Sequence, residues 1–220
     1  IAGSDRRGTA FGLMSISREI GVSPWWWWLD APVEHRDAIV VNVADFDSRT
    51  PSVKYRGIFI NDEDWGILRW AKNNFEKERG NIGPKTYDKV CELILRLQAN
   101  MLAPAMHEAS TAFYRIPENK EIADRYAVII TTSHCEPLLF NTASEWHSDR
   151  YGEWNYNTNR ERVDSVLKAR VMEAAPYENV YTLALRGLHD KAMSGDGDMD
   201  ARKETMQRAL GAQRQILVDV

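Results

Sequence analysis

The stretch Ser52–Asp64, SVKYRGIFINDED, decides how the rest of the chain is read. A basic lead-in, Lys54-Tyr55-Arg56, runs into Gly57 and the apolar triplet Ile58-Phe59-Ile60, then stops abruptly at Asn61-Asp62-Glu63-Asp64. An unalternated β-branched and aromatic run predicts a strand buried on both faces, as in a parallel sheet. Four hydrogen-bonding residues at its C-terminal end do not belong in a core. They either cap the next helix or present chemistry, because (β/α) barrels place catalytic and binding side chains at that end of their strands.

Toward the C-terminus the pattern recurs. Asn100–Met106 reads as a second strand ending in His107 and Glu108, and Tyr126–Thr132 as a third ending in Ser133, His134 and Glu136. Val180–Leu185 reads as a fourth, followed by Arg186, His189 and Asp190. Between them lie a short helix over Trp65–Phe75, broken at Gly80–Pro84, and an amphipathic helix over Thr86–Ala99 with Tyr87, Val90, Ile94 and Leu97 on one stripe. Residues 117–125 predict another helix with Pro117 at its start. Ser144–Asn159 is a polar, aromatic insertion, and Thr158 with Glu161 forms a capping box for a helix running to Ala175. Val163, Val166, Leu167 and Val171 face inward on that helix. A Gly/Asp-rich loop, Ser194–Asp200, leads to a last helix over Ala201–Ile216. Alternating strands and helices give an α/β parallel architecture, but a closed barrel needs eight strands. The four seen here are half of such a barrel or a smaller open sheet.

Toward the N-terminus, residues 1–21 read as the end of a strand, a polar turn over Gly3–Thr9, and an amphipathic helix closed by Gly21. Trp25–Trp28 follow Pro24. Four successive indoles cannot face one way on any regular element, so they form a packing plug between parts of the chain or a platform for sugar rings, with Asp30 beside them. Ile39–Val43 reads as a short strand, and Asp45–Pro51 as a linker. A domain boundary there divides the chain into 1–50, the end of a small α/β domain, and 51–220.

The 220 residues, 44% apolar and 27% charged, suffice for a sizeable core. A net charge of −4 gives no reason to expect nucleic acid. No stretch reaches the roughly 18 apolar residues of a membrane helix. No signal peptide is visible, and the chain opens on Ile1 without Met, as if cut from something longer. Cys91 and Cys135 have no metal-motif spacing, and Cys91 falls on an apolar helix face, which predicts a buried thiol. No Gly-rich dinucleotide or phosphate loop and no serine-nucleophile elbow occurs, so no cofactor is expected.

The strand ends supply carboxylates, an arginine and histidines. That set suits glycoside hydrolysis by a pair of carboxyl groups, about 6.5–9.5 Å apart for inversion and about 5 Å for retention. It also suits metal-assisted hydrolysis with ligands from several strands. Singly, each such residue more often caps a helix or makes a surface pair; their recurrence lifts the set.

Taken together, GSDRRGT with FG (Gly3–Gly12), IGVSPWWWW (Ile20–Trp28) with Asp30 and Pro32, SVKYRGIFINDED, TSHCEP (Thr132–Pro137), WNY (Trp154–Tyr156) with Thr158-Asn159, and LRG with His189-Asp190 resemble glycoside hydrolase family 115. These are xylan α-1,2-glucuronidases, which remove (4-O-methyl-)glucuronic acid from glucuronoxylan with inversion. The resemblance implies an N-terminal α/β domain, a (β/α)8 TIM-type barrel of which residues 51–220 are the first half, further helical and β-sandwich domains, and a homodimer. It also implies a secreted or periplasmic enzyme without metal or cofactor. Residue by residue, Asn61 and Asp62 match the family's strand-end pair, His134 the TSH histidine, and Arg186 and Asp190 the pair after the fourth strand. Asp62 and Asp190 are then the catalytic candidates, with Asp190 the favoured base. Asn61, His134 and Arg186 bind the uronic acid, with Asn155 and Tyr156 as further substrate contacts. The general acid is expected beyond residue 220. Ala103 and His107 stand where the family usually shows tryptophans. The rival readings are a β-hexosaminidase-like barrel, which shares the RGT and YRG elements, a metal-dependent barrel hydrolase, and a non-catalytic carbohydrate-binding piece.

Overall fold

In the computed structural model, which describes residues 1–41, 45–192 and 197–220, the sheet is three-stranded and entirely parallel. Its strands are β1 (Gly57–Phe59), β2 (Met101–Ala103) and β3 (Ile129–Ile130), in that order across the sheet. Gly57 lies opposite Met101 and Phe59 opposite Ala103; Met101 in turn lies opposite Ile129. Parallel neighbours need a crossover between them, and helices supply it each time.

The first crossover shows how local sequence builds the connection. After β1, helix α2 (Ile67–Trp70) continues into a π-helical turn over Ala71–Phe75, whose Ala71 carbonyl accepts from Glu76 N at 2.6 Å. Glu76 is then buried, and its carboxylate accepts from Gly83 N, Lys85 N and Thr86 N at 2.8, 3.2 and 3.0 Å. Those are donors left orphaned at the start of helix α3 (Pro84–Arg96), where Pro84 has none to lose. Helix α3 buries Tyr87, Val90, Cys91 and Ile94 against the sheet and against α4 (Pro117–Arg125). Truncating Ile94, fully enclosed, to Ala would cost about 2–5 kcal/mol.

A second core lies beyond β3. It joins α7 (Arg160–Ala174) and α8 (Met199–Asp219) to Leu138, Phe140, Trp146, Trp154 and Tyr156. Two short helices, α5 (Thr142–Glu145) and α6 (Ser148–Tyr151), lead into it. Of the four residues predicted to face inward on α7, Val163, Leu167 and Val171 are buried and Val166 is half-buried against the same core. No helix among the described residues is long and apolar enough to cross a membrane.

Helix α1 (Arg6–Glu19) starts earlier than expected because Asp5 caps it, its Oδ1 accepting from Gly8 N at 2.6 Å. Gly21 sits at φ +98°, the left-handed backbone that closes a helix. Helix α1 contains no buried residue and lies on α3, with Ser15 and Ser17 accepting from Gln98 and Arg96.

The tryptophan run acts as a plug. Trp27 meets Trp28, Trp70 and Phe75 at ring-centroid distances of 5.0, 5.6 and 5.1 Å, mostly edge to face. Trp26 donates its indole N–H to Glu92 and Trp28 to the Lys89 carbonyl, each at 3.2 Å, which docks the run on α3. A cleft of about 640 Å³ lies along its outer side, lined by Trp26–Trp28, Asp30, Gly66, Ile67 and Trp70.

Several expectations are corrected. β1 is not enclosed on both faces by the described residues: it pairs with β2 alone, Ile58 is half-buried, and Phe59 is 45% exposed. The predicted strand before α1 is absent, and Ile39–Val41 forms no regular element; Asn42 and Val43 lie outside the described residues. The fourth strand is reduced to a single parallel bridge between Ile130 and Asn179, extended by Val180 N donating to the Ile130 carbonyl at 2.9 Å. Thr182 continues the contact, its hydroxyl donating to the Thr132 carbonyl. The Thr158/Glu161 capping box does not form. Asn159 is the N-cap residue, and its amide instead donates to the Tyr151 and Glu153 carbonyls. Of the predicted Ser194–Asp200 loop, residues 194–196 lie outside the described residues, and α8 has begun by Met199.

Candidate active site

Residues after all four aligned segments converge at the C-terminal end of the sheet, in two linked clusters. In the first, Asp190 Oδ1 lies 2.9 Å from His134 Nε2 and 2.7 Å from Arg186 Nη2. The same arginine nitrogen donates to the Asp190 carbonyl at 3.0 Å. In the second, His107 Nδ1 lies 3.2 Å from Asp64 Oδ2, and the His107 ring stands 5.3 Å from that of His189. His189 adjoins Asp190 in the chain, so the two clusters meet there. Its backbone sits at φ +57°, held by its N–H donating to Thr142 Oγ1 at 3.2 Å. A non-glycine residue in that region is strained, and such strain gathers at functional sites.

Asp190 is exposed, yet its carboxyl is held below the ordinary carboxylate range. The hydrogen bond from His134 is the main cause, followed, against the opposing effect of desolvation, by the charges of Arg186, His134 and His189. It stays ionised well into acid. An ionised carboxylate beside a guanidinium and an imidazole can accept a proton from water and can share in binding an anionic, hydroxyl-rich ligand.

Beneath this exposed surface runs a buried polar layer. Glu63, fully enclosed, accepts from Met106 N and His107 N at 2.5 Å each, which pins the end of β2 to the end of β1. Asn141 donates from Nδ2 to the Met106 carbonyl at 2.9 Å and to Glu136 Oε1 at 3.0 Å. Glu136 Oε2 accepts from Ser133 N and Ser133 Oγ, both at 3.2 Å. Burial pushes the Glu136 carboxyl up to about 7, against its hydrogen bonds from Ser133 and Asn141, with nearby Glu145 adding to the rise. Glu145 is itself buried and paired with Arg170, whose Nη2 and Nη1 reach its two oxygens at 2.6 and 3.1 Å. Burial also raises the Cys135 thiol, so that group is not poised as a nucleophile.

Of the residues named from sequence, the structure brings together His134, Arg186 and Asp190. Asn61 and Asp62 lie exposed at the end of β1, and no side-chain hydrogen bond or ion pair joins them to that trio among the described residues. The Asp62 carbonyl accepts from Trp65 N and Gly66 N, so its backbone starts the turn into α2. Asn155 and Tyr156 face elsewhere. Tyr156 is 1% exposed within the second core and donates its hydroxyl to Asp164 at 3.0 Å; Asn155 Oδ1 accepts from Asn157 N. Their neighbour Trp154 does reach the site's backbone, donating to the Arg186 carbonyl at 2.7 Å. Ala103 is buried in β2 opposite Phe59. The sequence reading gave no role to Asp64 or Asn141; the only signal was their place at strand ends or before a short helix. Among the described residues, no group of three or more His, Cys, Asp or Glu side chains is placed as metal ligands would be.

Comparison with known proteins fits this geometry. Among curated proteins none matches. One solved structure that matches is described as a novel family GH115 4-O-methyl-α-glucuronidase, BtGH115A, with specificity for decorated arabinogalactans. It is 41% identical with a TM-score of 0.90 over 98% of this chain, which spans 29% of that one. The family model for glycosyl hydrolase family 115 matches residues 48–220, most of the sequence and every strand end described above. The chain belongs to glycosyl hydrolase family 115.

Proposed function

We propose that the protein carrying this chain removes (4-O-methyl-)glucuronic acid, α-1,2-linked, from a plant polysaccharide, with inversion. The observation that carries this reading is Asp190, kept ionised by His134 and Arg186 where the ends of the parallel segments meet. In this reading the three-stranded parallel sheet is the first part of a (β/α)8 barrel, and the clusters line its mouth. Arg186 offers a planar fork to the sugar carboxylate, and His134 donates to a sugar oxygen. Asp190 takes a proton from the attacking water as positive charge develops on the anomeric carbon. Asp62, exposed at the neighbouring strand end, is the second carboxylate, and Asn61 a hydroxyl-binding amide beside it. The general acid comes from elsewhere in the protein, which acts outside the cytoplasm as a homodimer.

Glucuronoxylan is the first substrate reading. A second, decorated arabinogalactan, is favoured by the 41% identical structure described with that specificity. The test is release of 4-O-methylglucuronic acid from each polysaccharide, with the anomer of the first-formed product read by NMR. Release from one polymer with the β-anomer formed first supports the reading and names the backbone. The α-anomer first would overturn inversion, and no release from either would overturn the activity.

A further inference from the structure

His134 is 54% exposed on its side chain and stands in a tight turn, so something beneath must fix where its imidazole points. Thr142 Oγ1 donates to the Cys135 carbonyl at 3.1 Å and Thr132 Oγ1 to the Glu136 carbonyl at 2.9 Å, and the side of the turn before His134 is held by a buried carboxylate. Glu136 Oε2 takes the N–H and hydroxyl of Ser133, the residue just before His134, while Oε1 takes the amide of Asn141. Asn141 cannot drift. Its Oδ1 caps α5 by accepting from Ala143 N and Ser144 N at 3.1 and 3.0 Å, and its own N–H donates to Glu145 Oε2. It also donates to the Met106 carbonyl, and Met106 N is held by Glu63. One hydrogen-bonded chain therefore runs from the end of β1, through β2 and α5, to the turn that presents His134. Resting on the reading that this cluster is the active site, we propose that Glu136 is its positioning residue. The buried carboxylate ties the Ser133–Cys135 turn to Asn141 and so sets where His134 meets Asp190.

The chemistry gives the clamp a switch. An ionised carboxylate accepts on both oxygens; once protonated, the oxygen facing Ser133 donates to the Ser133 hydroxyl instead, and the clamp loses its charge-assisted bonds. Burial lifts the Glu136 carboxyl to about 7, so the charge-assisted form of the clamp gains ground as pH rises through neutrality. The charged and titratable groups around it are Glu145 on α5 with its partner Arg170 on α7, Tyr87 on α3, and Cys135 with His134 on its own turn. Glu63 at the end of β1 and Asp190 complete the set. Of these, Glu145 pushes the carboxyl further up.

The experiment compares wild type, Glu136→Gln and Asn141→Asp in the protein that carries this chain. It reads kcat and KM on 4-O-methylglucuronic-acid-substituted polysaccharide across the neutral range. It also reads the His134 ring nitrogen signals, which report the hydrogen bond to Asp190, by NMR of histidine-labelled protein, which needs no substrate. The wild type is expected to lose kcat on the acid side of about pH 7. In Glu136→Gln that limb disappears, kcat falls roughly ten- to hundredfold with KM nearly unchanged, and the His134 Nε2 signal moves as its hydrogen bond to Asp190 loosens. Asn141→Asp keeps the oxygen that caps α5 but sets a second carboxylate against Glu136, so the limb moves to higher pH. A merely structural Glu136 would change melting temperature and leave both the limb and the His134 ring signals in place; that result overturns the proposal. The imidazole readout separates the two ideas, because a moved Nε2 signal in an inactive protein upholds the clamp and rejects the functional reading.

Discussion

Two carboxylates serve the same end of the sheet, and their surroundings push them in opposite directions. Asp190 is exposed and surrounded by positive partners, so it stays ionised well into acid. Glu136 is enclosed, its neighbours are amides and another carboxylate, and it holds its proton to about 7. The exposed region is stabilised little by its charges, since solvent-screened pairs contribute little. In the buried region every charge has a structural duty. Active surfaces of this kind are held in place by groups one layer down, and the two layers respond differently to substitution and to pH.

That difference can be broken at its buried side. Arg170→Ala would leave Glu145 enclosed without a counter-charge and would remove an arginine stacked 4.9 Å from the Tyr114 ring. Denaturant unfolding should show a loss of about 3–5 kcal/mol. A change near zero would mean that the buried pair is not what orders this region.

The pH dependence sharpens the contrast. Folding raises the Glu136 carboxyl from its ordinary 4.5 to about 7, so the folded state binds this proton more tightly than the unfolded one. The stability from that preference is complete below about pH 4.5 and is lost as pH rises through about 7. Relative to Glu136→Gln, the wild type should lose on the order of 3 kcal/mol across that window. Asp190 has the opposite sign: its contribution is present above the ordinary carboxylate range and lost as pH falls through its depressed value. Glu136 thus pits stability against the ionised form that the clamp needs.

Tyr156→Phe tests whether the WNY loop belongs to the buried or the exposed layer. Removing the hydroxyl that Asp164 accepts should cost about 1 kcal/mol and leave KM unchanged. A raised KM with unchanged stability would restore Tyr156 as a substrate contact. Smallest of all in stability should be Arg186→Lys, with melting temperature within error of wild type and a clearly weakened KM, because an ammonium cannot reproduce a bidentate fork.

Much of this was legible in the sequence, for identifiable reasons. The helix opening at Pro117 and most of the stripe on α3 are local patterns and are found: Tyr87, Val90 and Ile94 are buried, while Leu97 caps the helix and is exposed. The strand-end grouping of His134, Arg186 and Asp190 followed from parallel topology, which sends every strand's C-terminus to one side. What failed depended on neighbours that a local pattern does not name. Ile58-Phe59-Ile60 reads as buried on both faces, and among the described residues only β2 pairs with β1, which leaves Ile58 and Phe59 partly uncovered. The π-turn at Ala71–Phe75 is set by the Trp70–Phe75 stack and the plug beside it. Thr158 looks like a cap, but Asn159 takes the position because its amide is claimed by two carbonyls of the preceding loop. The buried layer was the least visible, since Glu136 reads in sequence like one more polar strand-end residue.

The most direct test of the account is Asp190→Asn, which keeps shape and hydrogen bonding but removes the charge that His134 and Arg186 hold. Release of 4-O-methylglucuronic acid from glucuronoxylan and from decorated arabinogalactan would be measured beside wild type, with melting temperature as the control for folding. The account predicts an unchanged melting temperature and a loss of kcat of at least about a hundredfold, the scale of a missing acid–base group. A folded Asp190→Asn protein that releases the acid at the wild-type rate would contradict it.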